Sequence, residues 1–427
     1  MDIHVIQPGD TVWELARQYG VSPERIISDN RLINPRNLVV GQALLILQPE
    51  TVYTIRPGDT LASIAAQFGV PVITLYQNNP ELTTAPALQP GRTITIRFAG
   101  GKTRALTVNA YAYPDIRRDV LSHALPSLTY LTIFGYGFTT EGELIGIDDQ
   151  PLINLAYQFG AAPVMLLSSI TEEGTFSGER ASLLFRDAAL QNKVLDNILL
   201  LMREKGYVGL DVDFEYIQPE DSAAYVDFLQ NAAARLHAEG YFVHADLAPK
   251  TSSQQRGLLY EAHDYGSIGA VSDTVLLMTY EWGYTYGPPL AVAPLNRVRE
   301  VVAYAITQIP AQKILMGIPN YGYDWALPFE RGVSRATSIG NEYAVQIAAR
   351  YGAEILYDEI AQSPHFNYWS GTGAQHEVWF EDIRSIQAKC NLMDEFGLLG
   401  CGYWNAMRPF VQNWLYLSYR YNIRKVV

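Results

Sequence analysis

The sequence predicts an α/β protein: a closed barrel of eight parallel strands and their helices, a small α+β insertion, and two small βααβ units ahead of it. Three observations predict this. A segment near the start repeats at an offset of 49 residues, and eight short β-type runs then alternate with helical patterns. No glycine-rich phosphate turn follows the first of those runs, as the competing open, doubly wound sheet would favour.

Composition sets the outer bounds. The 427 residues are 48% hydrophobic and 18% charged, enough to bury a large core and too apolar for disorder. A net charge of −13 excludes nucleic acid or an anionic membrane as the main partner, since both need a basic face. No uncharged apolar stretch approaches the roughly 18–20 residues of a spanning helix, so no membrane insertion is expected. The start, Met1-Asp-Ile-His-Val, is acidic and strand-like and lacks a signal-peptide pattern. The expectation is a protein made in the cytosol or exported by a route the sequence does not show. Cys390 and Cys401 are the only cysteines, and the histidines do not repeat at ligand spacing. Two buried free thiols, no metal and no cofactor are expected. The sequence carries no signal for an oligomeric state.

The repeat comes first in the chain. Residues 4–14 read HVIQPGDTVWE and residues 53–63 read YTIRPGDTLAS. Each copy opens on a short β run, turns at Pro-Gly-Asp-Thr and enters an amphipathic helix. The offset holds for Tyr19-Gly20-Val21 against Phe68-Gly69-Val70 and for Asn30 against Asn79. After one extra residue, Leu38 matches Leu88 and Gly41 matches Gly91, and closing strands follow at Ala43–Leu47 and Thr93–Arg97. Asp10 and Asp59 are placed to cap the next helix. Helical spacing buries Val12, Leu15 and Ala16 in one copy and Leu61, Ile64 and Ala65 in the other.

This pair resembles two LysM modules, at 1–49 and 50–98. The resemblance implies binding of N-acetylglucosamine-containing glycans such as peptidoglycan or chitin. It puts the ligand groove between the turn residues (Gly9, Asp10, Thr11 and Val12; Gly58, Asp59, Thr60 and Leu61) and the loop before the last strand. Turn-making and capping alone would also account for those residue types.

A linker is expected over 99–106 and the barrel over 107–427. Its strands are read at Thr107–Tyr113, Tyr130–Tyr136, Val164–Ser168, Gly209–Tyr216, Phe242–Leu247, Thr274–Tyr280, Ile314–Tyr321 and Leu398–Trp404. Helices are read at Arg180–Lys205 and Ser222–Glu239, among others. Residues from about 335 to 380 hold a helix and the short strands ILYD, FNYW and EVWF, which form the insertion.

Strand four, GLDVDFEY, carries the chemistry. Side chains alternate faces, so Asp211, Asp213 and Glu215 point one way at steps of about 6.6 Å, while Leu210, Val212 and Phe214 face the helices. Inward barrel positions normally hold Val, Ile or Leu, and buried acids cost several kcal/mol each unless paired or protonated. Crowded like charges cannot all ionise, and a carboxyl kept protonated is what a glycosidic leaving group needs as general acid. The competing reading is an acidic metal site or a solvated strand end. No carboxylate or histidine in another strand is expected to complete a metal shell.

At these residues the chain resembles glycoside hydrolase family 18, whose fourth strand reads Asp-Gly-x-Asp-x-Asp-x-Glu. Gly209, Asp211, Asp213 and Glu215 match, and Val208 replaces the family's first Asp. The resemblance implies retaining, substrate-assisted hydrolysis. In it Glu215 is the general acid, Asp213 orients the substrate's acetamide, Asp211 supports Asp213 and Tyr280 hydrogen-bonds the acetamide. Strand six, Met278-Thr-Tyr280-Glu281-Trp282, is similar to the family's Met-x-Tyr-Asp with Glu281 in the Asp position. Strand seven resembles its Gly-x-Pro-x-Tyr-Gly-x-x-Trp run through Gly317, Pro319, Tyr321 and Trp325. Trp404 stands where the family floors the sugar subsite, and Tyr111 is a further subsite candidate, against plain core packing for each aromatic. Strand three departs from the family, with Leu167-Ser168-Ser169 for Ser-x-Gly-Gly.

The two modules, the barrel and the run MTYEWGYTYGPP at 278–289 together resemble the spore cortical-fragment lytic members of this family. That implies an N-acetylglucosaminidase acting on cortex peptidoglycan during germination, with a place in the spore envelope. The alternatives are a chitinase or endo-β-N-acetylglucosaminidase of the same mechanism, and a non-catalytic glycan-binding lectin.

Overall fold

Eight of the β-rich runs form parallel strands that close on themselves. The computed structural model describes residues 1–84 and 88–427; residues 85–87, in the loop before the second module's closing strand, lie outside the described residues. The barrel strands are Ala105–Ala112, Tyr130–Phe138, Ala162–Ser168, Gly209–Asp213, Phe242–Leu247, Thr274–Leu277, Ile314–Pro319 and Gly400–Trp404. Each pairs in parallel with the next, and the last pairs with the first, Gly400 opposite Thr107. Leu210, Val212 and Phe214 are fully buried in the layer between strands and helices, as their alternation requires.

Several boundaries differ from the sequence reading. Strand four stops at Asp213 rather than Tyr216, strand six at Leu277 rather than Tyr280, and strand seven at Pro319 rather than Tyr321. In each case the last residues leave the ladder to build the loops at the barrel's C-terminal mouth. The helix expected over Arg180–Lys205 is two, Gly178–Arg186 and Ala188–Lys205. Asp187 divides them, because its carboxylate accepts the Ala189 and Leu190 N–H groups and so caps a new start. The insertion begins earlier than expected: Gly322–Leu327 joins four further strands in an antiparallel five-stranded sheet, with the helix Asn341–Tyr351 packed on it.

Each N-terminal repeat folds as an antiparallel strand pair around two short helices. The capping expectation is corrected. Thr11 and Thr60, not Asp10 and Asp59, cap the first helix of each unit, accepting from Glu14 N and Ser63 N. The aspartates instead tie the turn back to the strand. Asp10 accepts from Gln7 N at 2.7 Å and bonds His4 at 2.9 Å, while Asp59 accepts from Arg56 N at 2.7 Å and from the Tyr53 hydroxyl at 2.8 Å.

The repeats are not beads on a tether. Ala43, Leu45 and Leu47 belong to the main barrel core, and Val39 to the insertion's core. Ile355 N donates to Val40 O at 2.9 Å, and the Gln412 amide donates to Asn30 Oδ1 at 2.6 Å. Arg25 of the first unit donates to Asn78 O of the second at 2.8 Å, and Gln77 of the second donates to Pro126 O of the barrel at 2.9 Å.

Candidate active site

A cavity of about 650 Å³ opens at the C-terminal ends of the barrel strands, where the loops depart. Asp213, Glu215, Asp246, Tyr280, Glu281 and Trp404 line it, each from the end of a strand or just beyond. A smaller hollow of about 310 Å³ lies at the seam between the first repeat and the insertion, far from the barrel acids. The larger one holds the chemistry because the crowded carboxyls open into it.

Asp211 is buried at the bottom of the group, with the Thr132 hydroxyl 3.4 Å from Oδ2. Asp213, one step up the same strand, is also buried, and its Oδ1 finds no donor among the described residues. Glu215 lies past the strand end and is half-buried. Its neighbour Tyr216 takes φ +58°, a left-handed conformation that is strained for a non-glycine residue, and turns the chain out of the barrel there. Glu281, at the mouth of strand six, also has a positive φ of +67°. The Tyr321 hydroxyl donates to it, and the Tyr323 hydroxyl reaches its two oxygens at 3.0 and 3.2 Å.

The structure corrects one expectation outright: strand five contributes both a histidine and a carboxylate. Strand four pairs with strand five so that His244 stands beside Asp211. Asp246 follows two residues on, and its Oδ1 accepts the Tyr111 hydroxyl at 2.7 Å. Asp211, His244 and Asp246 bring ligand-type atoms within 4.8 Å of one another. Tyr111, however, donates to Asp246 Oδ1, so that oxygen is already engaged by a proton donor. The signal for both residues was present in the sequence, as polar groups at alternate inward positions of a buried strand.

Electrostatics follows from burial. Desolvation pushes Asp211 up to about 7, helped by the charge of Asp246. It pushes Asp246 up to about 8, against the Tyr111 hydrogen bond. Asp213 is driven well above the carboxylate range by burial, then by the charges of Asp246, Glu215 and Asp211. Glu215 is raised by burial and by Glu281. His244, also buried, is pushed down and stays neutral. Burial and crowding therefore shift all four acids toward their protonated forms, the direction a general acid requires.

The aromatic residues divide. Trp404 lines the cavity, with Phe134 5.4 Å and Tyr113 6.0 Å from it by ring centroids. Tyr280 lines it and is half-buried. Tyr111 and Tyr321 lie beneath the wall, and each acts on the cavity through a carboxylate, Asp246 and Glu281 respectively. Tyr113, Phe134 and Phe176 line the cavity without having been singled out in the sequence. In the repeats, Gly9, Thr11, Gly58 and Thr60 are exposed, Asp10, Asp59 and Leu61 are half-buried and Val12 is buried. Trp13, beside the first turn, is 51% exposed.

A parallel βα barrel with an acid-lined, aromatic-walled cavity at its C-terminal mouth fits a glycoside hydrolase, and the family match makes it one. The chain belongs to glycoside hydrolase family 18: the family's pattern covers residues 165–408, and the LysM domain pattern covers residues 4–46 and 53–97. Both mark a protein that binds N-acetylglucosamine-containing glycans. The chain is 40% identical over 432 residues to the cortical fragment-lytic enzyme of Bacillus anthracis, covering 100% of this chain and 99% of that one. The crystal structure of the spore cortex-lytic enzyme SleL of Bacillus megaterium QM B1551 matches with a TM-score of 0.84 at 37% identity, covering 100% and 99%. That of Bacillus cereus SleL matches with a TM-score of 0.84 at 40% identity, covering 99% and 98%.

Proposed function

We propose that this glycoside hydrolase cleaves β-1,4 bonds at N-acetylglucosamine in spore cortex peptidoglycan, and that it acts in the spore envelope on cortex fragments during germination. The substrate and location are carried from the full-length similarity to cortex-lytic relatives. Residues 1–49 and 50–98 serve as glycan-binding modules and 99–104 as the connection to a catalytic barrel whose first strand begins at Ala105, two residues earlier than the sequence reading. In the modules the exposed turns around Gly9, Thr11, Gly58 and Thr60 meet the glycan.

The mechanism is retaining and substrate-assisted. Glu215 gives its proton to the glycosidic oxygen while the 2-acetamido oxygen of the bound sugar attacks the anomeric carbon, and the glycosidic bond breaks. Asp213 accepts the acetamide N–H and balances the oxazolinium charge, with Asp211 behind it. The Tyr280 hydroxyl donates to the acetamide oxygen and holds it on line. The Glu215 carboxylate then takes a proton from water, which opens the oxazolinium ring and restores the original configuration. Trp404 floors the sugar, and Glu281, steadied by two tyrosines, receives hydroxyl groups. One observation carries this reading: Glu215 and Asp213 open into the same cavity, where burial and the neighbouring Glu281 hold Glu215 toward its protonated form.

Glu215→Gln tests it. Turnover of purified cortex fragments should fall by about 10²–10⁴-fold with folding intact, the usual contribution of a general acid. Mass spectrometry of wild-type products should place N-acetylglucosamine at the new reducing end. Undiminished turnover in the variant, or muramic acid at that end, overturns the assignment.

A further inference from the structure

Five acids face the cavity and one cation does. Asp213, Glu215, Asp246 and Glu281 line it from the ends of strands four to six, and Glu300 lines it from the helix Leu295–Ala305. Among the described residues that line it, only Arg297 is positively charged.

Arg297 stands in the first turn of that helix, whose buried face is Val298, Val301, Val302 and Ala305. Its backbone N–H donates to Pro294 O at 2.9 Å, and the Leu295 N–H ties the helix start to Ala361 O at 2.8 Å. The side chain therefore leaves from a fixed point on the cavity rim. A helix favours cations in its last turn and acids in its first, so helix stability does not account for an arginine here.

Its ionic partner is Glu300, three residues on, at 3.1 and 3.3 Å. Both oxygens of Glu300 meet the same nitrogen, Nη1, which leaves Nε and Nη2 without an acceptor among the described residues. The two side chains are 55% and 49% exposed, and an ion pair so open to water holds its partners weakly. A guanidinium matches a carboxylate through two parallel hydrogen bonds, and here the edge formed by Nε and Nη2 is free to make them.

We propose that Arg297 is a specificity-determining residue: its guanidinium binds a carboxylate on the glycan, close to the bond being cleaved. This rests on the hydrolase reading and deepens it, because it makes the substrate class an anionic glycan. Chitin carries no carboxylate, whereas the lactyl ether of muramic acid ends in one, or in a peptide that carries others. Ionised acids in the cavity would repel such a group. Asp213, Glu215, Asp246 and Glu281 are all shifted by burial toward their neutral forms, which lowers that repulsion. Glu300 competes with the glycan for Arg297 and so limits how strongly it selects.

The test uses the full chain on peptide-free peptidoglycan oligosaccharides with free lactyl carboxylates, and on the same oligosaccharides after methyl esterification. Wild type should show a KM about tenfold lower for the carboxylate form, with kcat alike, the scale of one charge-assisted hydrogen bond at a partly exposed site. That preference should shrink as salt is raised to about 1 M. Arg297→Gln should bring the KM ratio to about one, Arg297→Lys should restore part of it, and Glu300→Gln should widen it about twofold. A wild type without preference, a ratio that Arg297→Gln leaves unaltered, or a loss confined to kcat and equal on both forms overturns the inference and leaves the hydrolase reading standing. Cleavage of a chitooligosaccharide with neither peptidoglycan form cleaved overturns the cortex reading, and this inference with it. Should Arg297→Gln not fold, Arg297→Lys and Glu300→Gln decide by the same ratio.

Discussion

Gly41 and Gly91 hold the same place in the two repeats, and both have positive φ, +83° and +88°. Their surroundings differ. A Cβ at Gly41 would lie 1.8 Å from the Ile355 carbonyl oxygen, while one at Gly91 meets nothing within 4 Å among the described residues. Forcing an L-residue into that conformation costs about 1–2 kcal/mol at either site. At Gly41 the blocking atom is backbone and cannot swing aside, so the seam must open. Opening it breaks the Ile355 N–H bond to Val40 O at 2.9 Å and the Arg384 bond to Gly41 O at 3.1 Å. A backbone bond is worth about 1 kcal/mol and a charged donor about 1.5–3 kcal/mol. Gly41→Ala should therefore cost about 4–6 kcal/mol, and Gly91→Ala only about 1–2 kcal/mol. Urea unfolding of the full chain at constant slope reads the difference as a shift in midpoint. Equal losses at the two glycines would refute the reasoning, because they would mean that the first module does not rest on Ile355 in solution.

Three further outcomes are expected. Tyr323→Phe removes a donor to Glu281 and should lower kcat/KM about fivefold, for about 1 kcal/mol of hydrogen bond; no change would remove Glu281 from the reaction. Asp211 is raised to about 7 against about 3.9 in an unfolded chain, so its folded-state contribution is lost as pH rises between those values. Paired thermal melts should then show Asp211→Asn gaining on the wild type from acid to neutral pH, on the order of 1–3 kcal/mol, and a constant difference would count against a buried neutral carboxyl. Trp13 is exposed beside the first module's turn at Gly9–Thr11, and Ala62 fills that position in the second module. In a Glu215→Gln background, Trp13→Ala should weaken calorimetric binding of a chitin oligomer about fivefold through loss of aromatic contact; unaltered binding would assign the turn to structure alone.

What the sequence made legible was local. The repeat, the eight strands and the alternation that put Asp211 and Asp213 on one face depend on neighbours within a few residues. The misread features depend on competition. Asp187 breaks a helix that periodicity alone would continue, because its carboxylate satisfies two amide hydrogens better than another helical turn would. Thr11 and Thr60 took the capping role because Asp10 and Asp59 were already bound back to residues 7 and 56. Asp246 and His244 were visible as polar residues in an apolar strand, but only the barrel's closure shows that they stand against Asp211. Tyr321 and Tyr111 were readable as aromatic residues, and not as hydrogen-bond donors to Glu281 and Asp246 beneath the cavity wall.

The seam between modules and barrel was not legible at all, and it bears most on how anchoring works. Contacts such as Val40 with Ile355, or Asn30 with Gln412, join residues hundreds of positions apart, which no periodicity encodes. Because Ala43, Leu45 and Leu47 lie in the barrel's own core, removing residues 1–98 would strip that core as well as the glycan contacts. Substitutions at the exposed turns therefore separate anchoring from stability where a truncation cannot. A flexible linker averages the second contact over many spans, at an effective concentration set by its length. A module packed into the core has already given up that freedom on folding, so a strand of matching geometry binds without a further ordering cost.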